Sequence, residues 1–146
     1  MNMAKLHNAV QKYNQVSVVS SVEAASPHRL IQMLMQGAME KIAIAKGYME
    51  RKDIPNKGSH ISWAISIIEG LRASLNFDNG GEIAQNLDDL YDYMVRRLVR
   101  ANLENNLDML DEVASLMRSV KDAWDSIDGQ PQEAVASDLG DAAGIV

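Results

Sequence analysis

The sequence predicts an all-α protein: an antiparallel up-down four-helix bundle with a short N-terminal helix or extended arm and a disordered C-terminal tail. Apolar residues recur every three or four positions through four segments of about twenty residues, which is the spacing of amphipathic helices. Short polar stretches separate these segments, and short connections place consecutive helices side by side and antiparallel. After residue 25, no segment alternates between apolar and polar residues as a half-buried strand does.

Punctuating residues predict where helices begin and where the chain breaks between them. Ser26 followed by Pro27 indicates a helix start, because serine caps the first turn and proline fits the first helical position. The run Asn76–Gly81 is expected to break the chain between the second and third helices. Asn106 is the expected N-cap of the fourth helix. The four predicted helices cover about 27–50, 57–76, 82–102 and 106–127.

The two ends of the chain differ in composition from the predicted bundle at 26–127. Residues 1–25 are expected to form an arm lying on the bundle, or alternatively a removable cover over a binding groove. Residues 128–146 contain four acidic residues, no Lys or Arg and little apolar material to bury. Because such a segment cannot offset its conformational entropy by burial, we expect it to be a disordered acidic tail.

Composition argues against several classes of function. The 146 residues carry a net charge of −6 and contain no cysteine. Thiol chemistry and Cys-bound zinc are therefore excluded, and an acidic chain without a Lys/Arg cluster is not expected to bind nucleic acid. The N-terminus lacks the apolar core of a signal peptide, and no apolar stretch approaches the ~18 residues of a membrane span. We therefore expect a cytoplasmic protein that does not insert into the membrane.

No motif supplies a catalytic, cofactor or metal site. The histidines His7, His28 and His60 lack the spacing of zinc or di-metal ligand pairs. Gly80 and Gly81 are not followed by the Lys-Ser/Thr of a phosphate-binding loop. We therefore expect no enzyme and no cofactor. Two alternatives stay open: a phosphotransfer or adaptor bundle that uses His60 or His28, and an enzyme with an unrecognised carboxylate site.

The predicted apolar faces are wider than a core requires. A core-facing stripe occupies roughly 100° of a helix, whereas Trp63 and Ile67 widen the apolar arc of the second helix to about 200°. On the third helix, Tyr91, Val95 and Val99 stand beside the core stripe. Exposed apolar patches of several hundred Å² usually mark interaction sites. The sequence therefore favours a protein that holds another polypeptide chain.

The sequence resembles the flagellin-specific export chaperones of bacteria, the FliS family, from about Tyr13 to Ile127. No single motif is decisive, but the order and spacing of several segments together are specific. The segments that carry the resemblance include Ala25–Leu30, Gly80–Ala84, Leu90–Met94, Leu98–Asn102 and Glu112-Val113 through Trp124.

The resemblance implies a helical bundle that binds the disordered C-terminal segment of flagellin one to one. It implies that this binding prevents polymerisation in the cytoplasm and keeps flagellin competent for the flagellar type III export gate. It also implies that the N-terminal segment, through Tyr13, can lie over the client-binding surface. A monomer or weak homodimer is expected. The expected client-binding residues are Tyr13, Trp63, Ile67, Leu71, Leu75, Tyr91, Val95 and Val99.

Overall fold

A computed structural model of the chain describes residues 5–6 and 25–126. Most of the predicted arm and all of the predicted tail therefore lie outside the described residues. Between residues 25 and 126 the chain contains helices and no strand, which confirms the predicted all-α class. The four helices are α1 (Pro27–Glu50), α2 (Ile54–Ala73), α3 (Phe77–Glu104) and α4 (Leu107–Asp125).

Each helix begins at a polar N-cap side chain that accepts a hydrogen bond from a backbone N–H of the first turn. In α1 the cap is Ser26, as the sequence predicts, and its Oγ accepts from the Arg29 N–H at 3.1 Å. The other three caps are Asp53, Asn76 and Asn106. Each cap satisfies one of the N–H groups that a helix terminus leaves without an intrahelical partner. The helix starts are therefore determined locally.

Two helices begin earlier than the sequence analysis expected. In α2 the cap Asp53 allows the helix to start at Ile54. In α3 the cap Asn76 starts a first turn at Phe77, and the chain then breaks at Gly81, where φ is 52° and ψ is −125°. Only glycine adopts this backbone conformation without a large steric cost. The expected break thus lies at one residue inside α3, after its first turn.

The helices form an antiparallel up-down bundle in which each packs against its neighbours in sequence and α1 also packs against α4. The start of α1 lies beside the end of α4, where Gln32 Nε2 donates to Asp125 at 2.9 Å. The end of α1 lies beside the start of α4, where Lys46 pairs with Asp111 at 2.9 Å. We call the end that holds Gln32 and Asp125 the proximal end and the opposite one the distal end.

The core is one continuous cluster of apolar side chains from all four helices. Leu34, Ile68, Leu98 and Val113 are fully buried representatives of the four. Leu6, in the described part of the N-terminal segment, is also fully buried in this cluster. Full burial of a leucine side chain stabilises by about 1.5–3 kcal/mol, so Leu6 contributes to the stability of the folded bundle. None of the helices in the described ranges has the length and apolarity to span a bilayer.

Candidate functional site

Four of the residues predicted to bind a client are buried in this structure. Tyr91 is 1% exposed, and burial raises the pKa of its phenol well above the usual value, so the hydroxyl stays protonated at neutral pH. These side chains pack in the core cluster and do not line an open groove. The four buried residues are Ile67, Leu71, Leu75 and Tyr91.

Three predicted residues remain accessible to a partner. Trp63 and Val95 are half-buried, and Val99 is 45% exposed. Tyr13 lies outside the described residues. The accessible candidates therefore occupy both α2 and α3, and their positions around these helices decide whether they can form one surface.

Trp63 and Val99 do not meet in one groove, because Trp63 lies on the side of α2 that faces away from α3. Arg72 marks the side that faces α3, since its Nε lies 2.6 Å from the Asp88 carboxylate. Trp63 precedes Arg72 by nine positions, which is about two and a half helical turns and places it on the opposite side. Lys41 of α1, whose Nζ lies 3.8 Å from the centre of the Trp63 ring, confirms that Trp63 faces α1.

Cationic and aromatic side chains follow one another along the face between α1 and α2. The Arg51 guanidinium lies 4.9 Å from the Tyr48 ring centre, and the Tyr48 ring lies 5.2 Å from the His60 ring. His60 lies 6.1 Å from Trp63, which is covered in turn by Lys41. We call these five residues the aromatic row. Cation–π and aromatic contacts of this kind hold rings in place, so the row presents a preformed surface.

The Trp63 indole leaves one polar atom without a partner. Its Nε1 is buried and has no hydrogen-bond acceptor among the described residues. Leaving a buried donor unsatisfied costs about 1–3 kcal/mol. Ile44 of α1, 40% exposed, adds aliphatic surface to the same face of the bundle. This face therefore suits a partner with an apolar surface.

A second apolar surface lies at the distal end, between α2 and α3. Leu103 is 77% exposed, Ile54 52% and Val99 45%, and Val95 lies one turn before Val99. We call these four residues the distal patch. Sequence analysis identified Val95 and Val99 but missed the other two. Leu103 continues the four-residue spacing of Val95 and Val99, and that spacing was the available signal.

A buried lysine holds the two helices together beneath the distal patch. Lys57 is only 3% exposed, and its Nζ donates to the Asn102 carbonyl at 2.9 Å and to Asn105 Oδ1 at 2.6 Å. The positive charge satisfies a carbonyl at the end of α3, where the helix dipole is negative. The first turn of α2 is thereby attached to the last turn of α3. Ile54 and Leu103 belong to these two turns.

One ion pair and one tyrosine hydrogen bond, both to the same carboxylate, join α3 to α4 at their outer edge. The Glu112 carboxylate accepts from the Tyr93 hydroxyl at 2.6 Å and from Arg97 Nε at 2.8 Å. The hydrogen bond from Tyr93, aided by Arg97, lowers the pKa of Glu112 below its ordinary value. Because both side chains on α3 converge on one carboxylate of α4, this edge is polar and differs in character from the two apolar surfaces.

The two histidines named as alternative phosphoacceptors both take part in packing. His28 is 7% exposed and stacks on Trp124 at 4.9 Å with an interplanar angle of 16°. His60 belongs to the aromatic row, and its Nδ1 lies 2.8 Å from the Asn56 carbonyl. In the part of the chain that the structure describes, no three His, Cys, Asp or Glu side chains are placed to hold a metal ion.

Comparisons with known proteins agree with the resemblance found in the sequence. Residues 9–131 match the model of the family described as flagellar protein FliS. The flagellar secretion chaperone FliSB of Pseudomonas aeruginosa is 54% identical over 119 residues, which cover 82% of this chain and 94% of that protein. The flagellar secretion chaperone FliS of Vibrio cholerae is 42% identical over 135 residues, which cover 92% and 99%. The Salmonella typhimurium FliS is 46% identical over 121 residues, covering 82% and 90%.

Proposed function

The chain belongs to the FliS family of non-enzymatic flagellar secretion chaperones, and from this premise we propose that its client is the C-terminal segment of flagellin. Binding takes place in the cytoplasm. It keeps the segment from polymerising before export and leaves flagellin competent for the flagellar type III export gate. Membership of the family by itself establishes a chaperone of flagellar secretion. The flagellin segment as client and its delivery to the export gate are proposed.

The observation that carries this proposal is the position of two apolar surfaces on different sides of α2. The aromatic row with Ile44 faces α1, whereas the distal patch borders α3. A rigid globular partner reaches such a pair of surfaces poorly, because one convex contact cannot face both. A disordered segment can pass around α2 and contact both. The geometry therefore favours an extended client that orders on binding.

The four buried client-binding candidates fit the same proposal if the client displaces the N-terminal segment from the bundle. Leu6 occupies the core cluster that also contains Ile67, Leu71 and Tyr91. An apolar client side chain that replaced Leu6 would recover the burial that Leu6 provides, about 1.5–3 kcal/mol. Tyr13, which belongs to the same N-terminal segment, is proposed to leave with it.

Ordering of the client keeps the complex separable at the export gate. A segment that folds on binding gives up about 2–5 kcal/mol of its gross interaction energy to ordering. The complex can then be specific over a large surface and still release its client without nucleotide chemistry in the chaperone. This agrees with the non-enzymatic character of the family.

The proposal is tested by measuring binding of full-length flagellin and of flagellin lacking its last ~40 residues, a length that at ~3.3 Å per extended residue can pass around the bundle. We expect one-to-one binding of the full-length protein by calorimetry and no binding of the truncated one. A matched control removes an equal length from the N-terminus of flagellin. Equal affinity for the full-length and C-terminally truncated proteins would refute the proposed client segment.

A further inference from the structure

A single buried cation connects two helix ends beneath the distal patch. Among the described residues, Lys57 is the one lysine or arginine that is buried. Its Nζ donates to the Asn102 carbonyl at 2.9 Å and to Asn105 Oδ1 at 2.6 Å. Taking an ammonium out of water is costly unless hydrogen bonds satisfy it. The buried lysine therefore favours the one placement of α2 against α3 that brings both acceptors to it.

The residues of the distal patch are neighbours of these polar contacts in the sequence. Ile54 precedes Lys57 by three positions, and side chains three apart lie on the same side of a helix. Leu103 directly follows Asn102, and Val99 lies one turn before Leu103. The helix turns that carry the patch are therefore the turns that the lysine joins.

The patch side chains do not fix these helix ends by their own packing. Ile54 is 52% exposed and Leu103 is 77% exposed. The two helices approach each other closely below them, since a Cβ added at Gly58 would lie 3.9 Å from the Asn102 amide. Apolar packing tolerates rearrangement, whereas hydrogen bonds require defined distances and angles. The placement of Ile54 relative to Leu103 therefore depends on the hydrogen bonds of Lys57.

From these contacts we propose that Lys57 is a positioning residue for client binding. Through its two acceptors it holds Ile54 in place against Val99 and Leu103. The inference rests on the proposed function, because it assigns the distal patch to the client. A surface that is ordered before the client arrives binds more tightly, since less conformational entropy is lost on binding. Without these hydrogen bonds, the client would have to order the patch itself.

The variant Asn105→Gly tests this role without removing the lysine. Asn105 is exposed and has φ 52° and ψ 47°, a conformation that glycine adopts readily. The variant therefore loses the Oδ1 acceptor of Lys57 without backbone strain. We expect a midpoint of thermal unfolding close to that of the wild type, and a flagellin affinity lower on the order of three- to tenfold by calorimetry. Wild-type affinity in this variant would overturn the proposal.

The variant Lys57→Met removes both hydrogen bonds and should weaken flagellin binding more than Asn105→Gly does. Because it also lowers stability, its matched control is Gly81→Ala, which strains the backbone at the opposite end of α3. Both variants are titrated at a temperature at which circular dichroism shows them folded. Equal losses of affinity would show that reduced stability, and not the position of the patch, is the cause.

A double-mutant cycle measures the coupling between the lysine and the patch. The effects of Lys57→Met and Leu103→Ala on flagellin affinity should not add, because both changes act on the same surface. The effects of Lys57→Met and Trp63→Ala should add, because Trp63 lies on the other side of α2. Additive effects in the pair with Leu103 would contradict a positioning role.

A measurement on the free protein separates this inference from the proposed function. Lys57→Met and Asn105→Gly should shift or broaden the NMR methyl signals of the distal patch, and Gly81→Ala should leave them unchanged. Methyl signals that stay unchanged in the first two variants would refute the positioning role, whatever the client is. Altered methyl signals in a protein that does not bind flagellin would instead refute the proposed client.

Discussion

The Lys41 ammonium of α1 lies 3.8 Å from the centre of the Trp63 ring of α2. This contact places Trp63 on the α1 side of α2, whereas Arg72 of the same helix pairs with Asp88 on the α3 side. The apolar residues that the sequence assigned to one binding face are therefore divided between two surfaces. A client that uses both must pass around α2.

Replacing Trp63 with alanine should weaken flagellin binding by about 2 kcal/mol, roughly 30-fold. The physical reason is loss of a large, preformed apolar surface whose buried Nε1 lacks an acceptor within the described residues. Calorimetry gives the affinity, and circular dichroism verifies the fold. Ser62→Ala, at an exposed neighbouring position, is the control. A folded Trp63→Ala protein with wild-type affinity would remove Trp63 from the binding surface.

Leu103→Asp should abolish most client binding while leaving stability almost unchanged. The side chain is 77% exposed, and exposed substitutions of this kind usually change stability by no more than about 0.5 kcal/mol. A charge on the distal patch would have to be desolvated when the client binds. Urea denaturation and calorimetry measure the two effects. Gln85→Asp, also exposed on α3, serves as control, and equal affinities of the two variants would contradict a role for the patch.

Gly81→Ala should destabilise the protein by about 1–3 kcal/mol because the backbone there has φ 52° and ψ −125°. No atom lies within 4 Å of an added Cβ, so conformational strain and not collision is the cause. Gly58→Ala is the matched control within α2, where a Cβ meets only the Asn102 amide at 3.9 Å and alanine favours the helix by up to ~1 kcal/mol. The midpoint temperature of thermal unfolding should fall for Gly81→Ala and rise for Gly58→Ala. A shift in the same direction for both variants would contradict backbone strain at Gly81.

Lys57→Met should cost about 1–3 kcal/mol, because it leaves the Asn102 carbonyl and Asn105 without the buried donor that joins α2 to α3. Lys46→Met is the control. Its pair with Asp111 is partly exposed, and such pairs contribute about 0–1 kcal/mol. Chemical denaturation compares the variants. Equal losses of stability would show that the Lys57 contacts contribute no more than a surface ion pair.

The lowered pKa of Glu112 predicts how the stability of the protein changes at acidic pH. Its pKa is lowered in the folded chain by hydrogen bonds from Tyr93 and Arg97. The carboxylate therefore contributes stability above its unfolded pKa, about 4.3, and this contribution is lost as pH falls through the folded pKa. We measure the free energy of unfolding by urea titration between pH 3 and 7. Its decrease at acidic pH should be smaller in Glu112→Gln than in the wild type, and Tyr93→Phe should reduce the decrease partly. The same decrease in Glu112→Gln as in the wild type would refute this contribution.

The sequence alone determined the class of the fold and the starts of two helices, because these depend on neighbouring residues. Ser26 and Asn106 act as N-caps where their side chains predicted them. Asp53 and Asn76 are caps of the same kind but were not recognised, so α2 and α3 were expected to start later. The caps are local hydrogen bonds, and the apolar spacing that predicts a helix is also a local property.

Only the tertiary structure decided which apolar residues face a partner. Trp63 and Ile67 share one flank of α2, yet Trp63 is half-buried and Ile67 is fully buried. On α3, Tyr91 is buried while Val99 is exposed. The physical reason is that exposure depends on the rotation of each helix against its neighbours and on which segments cover each turn along its length. Packing and pairs such as Arg72 with Asp88 set that rotation, and they join residues distant in sequence.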